Sequence, residues 1–172
     1  MGQGLSLGVA MGLPLLGGIA GSVVTRKAVK EWYPTLKKPS WTPPNWLFGP
    51  VWTFLYATMG YASYRIFQQG GWEKQSMPLS LYLAQLALNF TWSPLFFGAK
   101  KLGLALVNIT AMGVTVGATA HSFWPVDPLA SKLLWPYLFW VSYATALNTY
   151  IYINNPPSSK KDGGDSNKSK AS

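Results

Sequence analysis

Hydrophobic and polar positions fall in long blocks along this chain rather than in a short period. Residues 5–25 carry no charge and supply the roughly 20 residues that the apolar core of a bilayer demands. Further apolar blocks run from about Trp46 to Phe67, Pro78 to Gly98, Leu102 to Ser122, and from the Asp127-Pro128 pair to Asn154. Gln68 to Met77 reads as a short polar link. Asp127 followed by Pro128 is a cap and a first-turn proline, so a helix should begin there. No run of strict alternation survives, which excludes a transmembrane β-barrel. The predicted fold class is an all-α membrane protein, a bundle of five transmembrane helices over residues 1–154. A polar tail, 155–172, should be disordered.

Between the first two blocks the pattern changes. Trp32 to Tyr64 reads WYPTLKKPSWTPPNWLFGPVWTFLYATMGYASY, with four Trp, four Tyr and five Pro. Prolines at 34, 39, 43 and 44 remove donors and push the preceding residues into extended geometry, so the stretch before Trp46 cannot be a long helix. A rigid loop carrying Trp32, Trp41, Pro43, Pro44 and Trp46 is therefore expected to fold over one end of the bundle as a lid. Glycines at 4, 8 and 12, then 17 and 21, recur every four residues, as do Gly113 and Gly117. Such faces let a neighbouring backbone come close, within the bundle or in a homodimer. Pro14 is expected to kink the first helix.

Charge adds an orientation. The 172 residues contain 14 Lys and Arg against 5 Asp and Glu, a net charge of +9. The basic residues lie in loops and tail, which points to lipid head groups and away from nucleic acid. Eleven of them sit on the side holding the first loop, third loop and tail, which places the C-terminus in the cytosol by the positive-inside bias. The first basic residue, Arg26, follows the first apolar block, so no signal peptide is expected. With no Cys, a single His (His121) and no carboxylate inside an apolar block, nothing supports a metal site, a cofactor-dependent centre, a proton relay or a nucleophilic triad. Met1–Ser6 fits a myristoylation pattern, but a chain that already spans the bilayer needs no lipid anchor. The sequons at Asn89, Asn108 and Asn167 are read as chance matches.

Three stripes at helical spacing carry candidate chemistry. They are Trp52, Tyr56 and Gly60; Gln85, Asn89, Trp92 and Ser93; and Tyr137, Trp140, Ala144 and Asn148. Amides inside a span are costly unless they meet partners or line a cavity. Plain interhelical glue accounts for them alone. Three indole-bearing stripes together point to an apolar pocket for a flat ligand.

The Trp32–Tyr64 stretch, with LYLAQLALNFTWSPLFFGAKKLGLALV and PYLFWVSYATALN, resembles the tryptophan-rich sensory protein family, whose animal members are called translocator protein or peripheral-type benzodiazepine receptor. The likeness covers roughly Leu5 to Asn154. It implies a pocket for porphyrins, haem and synthetic drug ligands at Trp52, Asn89, Trp92, Trp140, Ala144 and Asn148. Leu104 and Val107 match pocket positions where animal members carry Trp and Ala. The positions of Trp52 and Trp140 are those implicated in light-dependent porphyrin breakdown, so an enzyme is the alternative to a receptor. Thr149 and Ile153 replace the Tyr and Arg of a proposed sterol motif, so cholesterol binding through it is expected to be weak. The family resemblance also implies a mitochondrial outer membrane, with secretory or bacterial membranes as alternatives.

Overall fold

In the computed structural model, which describes residues 6–156, every regular element is helical. Helix α1 spans Leu7–Glu31, α2 Asn45–Gln68, α3 Gly71–Ser93, α4 Leu102–Phe123, α5 Pro128–Leu133 and α6 Trp135–Asn154. The helices α1–α4 form four spans, and α5 with α6 forms the fifth. The start of the myristoylation pattern, the glycine at position 4 and most of the polar tail lie outside the described residues. Of the described helices, α4 alone is by itself long and apolar enough to cross a bilayer, at 22 residues and a mean hydropathy of 1.6. Helices α2, α3 and α6 are diluted by Trp, Tyr, Pro and amide side chains, which suit helices that face one another or an interface, whereas the first span passes the same test only as a bent pair, Leu7–Val23 with Thr25–Thr35.

The ends of these helices follow local chemistry. Ser6 caps α1 by accepting from the Val9 amide. The axis of the first span bends by 43° between Val23 and Thr25, well past the Pro14 expected to kink it. Gly70 and Gly71, at φ 121° and 64°, turn the chain from α2 into α3. Helix α3 therefore starts inside the stretch read as a polar link, and a break at Gln75, φ −119°, precedes Pro78. At its other end, Pro94 cannot donate to the helical ladder, and the chain widens into a π-helical turn, Pro94–Gly98, closed by Ala99 N–H to Pro94 O at 2.8 Å. Asp127 caps α5 through the amides of Leu129 and Ala130, as the Asp127-Pro128 pair implied. Leu134 separates α5 from α6, which carries Pro136 in its first turn.

Packing sets the helix order around the bundle. Helix α1 lies against α2 and α3, α3 against α4, and α4 against α6, while α2 and α6 meet lightly. At one end α5 bridges α2 and α4. A core of Leu55, Met59, Leu86, Ile109, Met112, Val116 and Val141 runs between the helices. Gly60 lets the backbones of α1 and α2 come close: a Cβ there would lie 2.7 Å from Ala10 O and 2.8 Å from Met11 Cα. The glycines, expected to let a neighbour come close within the bundle or in a homodimer, serve the first use at two points of α1. A Cβ on Gly17 or Gly18 would enter the rings of Phe90 or Tyr56, so these two glycines serve packing within the chain, whereas Gly12 and Gly117 border open space.

At the α5 end, Arg65 Nε donates to Asp127 Oδ2 at 2.7 Å and ties α2 to the α4–α5 corner. Asp127 is only 6% exposed. Burial pushes its carboxyl upward, but hydrogen bonds from Arg65 and from the Ala130 and Leu129 amides outweigh that and hold it below its ordinary value. The depressed group stabilises the fold at pH above its unfolded value, about 4, and this contribution is lost as pH falls through the folded value. Asp127→Asn is expected to cost about 1 kcal/mol at neutral pH, a figure discounted for the partly exposed arginine. Melting of the detergent-solubilised protein should show the gap between the two proteins closing below about pH 4. A gap of equal size at both pH values counts against this role.

Candidate functional site

The three stripes converge because α2, α3 and α6 each turn one face inward beside α1. Between them lies a cavity of about 410 Å³, within the range of ordinary small-molecule sites. Trp52 and Tyr56 come from α2, Asn89 and Trp92 from α3, and Trp140, Ala144 and Asn148 from α6. Trp52 stacks on Tyr56 at 5.3 Å and meets Tyr137 edge-on at 6.2 Å, while Trp92 stacks on Phe96 at 5.0 Å. Phe48 stands edge-on to Trp140 at 5.9 Å across the light α2–α6 seam. The walls are thus indole, phenyl and glycine, with Gly17, Gly18 and Gly21 giving α1 a flat side.

The polar groups are mostly committed to the protein itself. Tyr56 Oη donates to Asn89 Oδ1 at 2.7 Å, and Asn89 Nδ2 donates to Tyr137 Oη at 2.8 Å, so one amide joins three helices. Asn148 accepts from Trp92 Nε1 and donates to Leu102 O, both at 3.3 Å. Both amides border the cavity, yet they work as interhelical bonds, so neither is the free polar anchor for which a pocket amide could stand. Tyr137 is fully buried behind the wall, bonding Asn89 and pointing its hydroxyl at Met112 Sδ, 3.3 Å away. Gln85, one turn before Asn89 on α3, is 1% exposed, with no partner for either amide atom among the described residues.

Two expected pocket residues lie elsewhere. Leu104 and Val107 are 53% and 67% exposed on the outer side of α4, because Ala105, Ile109 and Met112 occupy its inward face. Thr149 donates to the Thr145 carbonyl, and Ile153 points outward, so neither reaches the cavity. Conversely, Tyr33, Phe48, Phe90, Phe96 and Phe97 line the cavity and were not singled out from sequence. Tyr33 sits next to Trp32, which faces away from the cavity and meets Phe96 from the other side.

The proline-rich loop is strapped to α6 rather than inserted into the cavity. Lys37 N–H donates to Asn155 Oδ1 at 2.9 Å, and Asn155 Nδ2 donates back to Lys37 O at 3.0 Å. Tyr143 Oη donates to Trp41 O at 2.6 Å, and the two rings pack edge-on at 5.5 Å. Pro43 and Pro44 hold the turn into α2, and Trp46 is 72% exposed, outside the cavity. At the root of the loop, Tyr33 is buried under Lys38, whose Nζ lies 4.3 Å from the ring centre. Burial, with nearby Tyr143 adding to it, pushes the Tyr33 phenol up to about 12, so it meets the cavity as a neutral hydroxyl.

A helical membrane bundle that encloses an aromatic cavity beneath a strapped loop is a well-defined class. The chain belongs to the TspO/MBR family, whose model matches residues 10–153. It is 45% identical over 144 residues to the translocator protein of Homo sapiens, covering 83% of this chain and 85% of that one. The tryptophan-rich protein TspO of Chlorobaculum tepidum is 43% identical over 156 residues, 90% of this chain and 98% of its own. The tryptophan-rich sensory protein of Cereibacter sphaeroides is 43% identical over 118 residues, 69% and 73% respectively. The bundle is accordingly a membrane protein of this family, with a receptor or transport-associated role.

Proposed function

We propose that the protein binds tetrapyrroles of the porphyrin and haem type inside the membrane, as a receptor or transport-associated protein. The observation that carries this reading is the cavity wall: Trp52, Trp92 and Trp140, from three helices, border one space beside a flat glycine side of α1. Because Asn89 is already bonded to Tyr56 and Tyr137, and Asn148 to Trp92 and Leu102, a ligand there need supply few hydrogen bonds, which favours a broad, flat, largely apolar molecule. Synthetic ligands of the benzodiazepine type suit the same walls. Sterols suit the outer surface less well, since Thr149 and Ile153 offer no Tyr–basic pair. The mitochondrial outer membrane, with the tail on the cytosolic side, is the location we assign.

A second reading is supported by one observation, that both Trp52 and Trp140 border the cavity. Indole oxidises readily, so a bound photosensitiser could react with either in light and oxygen. Trp→Phe at both positions keeps aromatic walls and removes the indoles. Stacking contributes on the order of 1 kcal/mol per pair, most of which Phe retains. The double variant should bind protoporphyrin in the dark within about tenfold of the original. Bleaching of the Soret band under light decides between the readings. Equal bleaching by both proteins, at the rate of free porphyrin, leaves the receptor alone; markedly slower bleaching by the variant makes the tryptophans reactants.

A further inference from the structure

A second hollow, of about 400 Å³, lies outside the aromatic cavity at the end of α1 and shares Phe97 with it as a common wall. Its other sides are Lys27, Ala28, Glu31, Trp32, Thr35 and Lys100. Lys100 follows the π-helical turn with a left-handed φ of 55°, a conformation that suits glycine, and this brings its Nζ to 5.5 Å from the centre of the Trp32 ring. Lys27 stands one turn before Glu31, with Nζ 4.0 Å from the carboxylate. Two ammonium groups thus face one carboxylate, which leaves the hollow a single positive charge, over a floor of Trp32, Phe97 and Ala28. The hollow sits at the helix ends where Arg26, Lys30 and Lys101 add further positive charge, the level at which a Trp and lysines meet head groups.

We propose that this hollow is a site for one anionic phospholipid. Its phosphodiester, with a single negative charge, lies between Lys27 and Lys100, and its glycerol and upper acyl chain lie on Trp32 and Phe97. A free phosphate or phosphomonoester leaves the aromatic floor of Trp32 and Phe97 uncovered.

Native mass spectrometry of the full-length protein, titrated with phosphatidylglycerol or phosphatidylcholine, tests this. The first phosphatidylglycerol should bind more tightly than phosphatidylcholine, and Lys27→Ala with Lys100→Gly should weaken it about 25-fold, at roughly fivefold per lysine. Lys100→Gly also suits the left-handed backbone, so alone it should weaken binding about fivefold with unchanged melting. Lys74→Ala with Lys132→Ala, at the other end of the bundle, should change nothing. Equal weakening by that distant pair reduces the effect to general surface charge and overturns the site. Displacement of phosphatidylglycerol by equimolar inorganic phosphate overturns the lipid assignment.

Discussion

Gly60→Ala is expected to lower stability by about 2 kcal/mol, although the same change in an open helix stabilises. The new Cβ would stand 2.7 Å from Ala10 O and 2.8 Å from Met11 Cα. These are backbone atoms of α1 and cannot rotate away, so α1 or α2 must shift and loosen the surrounding packing. Gly117 supplies the contrast: a Cβ there meets nothing within 4 Å. Gly117→Ala should therefore gain up to about 1 kcal/mol from helix propensity. Thermal melting in one detergent should move in opposite directions for the two variants. Equal shifts would show that the α1–α2 crossing is not a tight point of the bundle.

Asn89→Leu is expected to cost more, about 3 kcal/mol, because it takes the acceptor from one buried hydroxyl and the donor from another. Tyr56 Oη loses its acceptor, and the buried Tyr137 Oη loses its donor and keeps only its own bond to Met112 Sδ. A buried group left without a partner costs about 1–3 kcal/mol, whereas removing both sides of a hydrogen bond is nearly neutral. Adding Tyr56→Phe and Tyr137→Phe to Asn89→Leu should then restore much of the loss. If the triple variant melts below Asn89→Leu itself, the three side chains are not coupled as described. The same hub positions the cavity wall, since Tyr56 carries the stack on Trp52.

What the sequence disclosed depended on whether a residue type forces a geometry. The caps at Asp127-Pro128 and the break before Asn45 were readable, because proline and a capping carboxylate act locally. The convergence of Trp52, Trp92 and Trp140 was readable because helical spacing aligns each with an amide or a small residue. Leu104 and Val107 were not placed by spacing. Helix α4 is apolar on all sides, so nothing in its pattern marks the lipid-facing side, and likeness to relatives alone suggested the pocket. The glycine side of the cavity was equally hidden, because the partners of Gly17 and Gly18, Phe90 and Tyr56, lie on other helices. The π-helical turn begins at Pro94, but the packing of its Phe96 and Phe97 against Tyr33 and Trp92 joins residues far apart in sequence and was not legible there.

On the proposed function, a tetrapyrrole occupies the space between α1, α2, α3 and α6. Ala144 borders that space, whereas Ala146 lies on the outer side of the same helix. A Soret-band titration of protoporphyrin in the dark, with Ala144→Trp, Ala146→Trp and the original protein, puts the claim to its most direct test. Filling the cavity from Ala144 should weaken binding by at least about tenfold, while Ala146→Trp should bind as the original does. Unchanged binding by an Ala144→Trp protein that still melts normally would contradict the account and put the porphyrin elsewhere on the molecule.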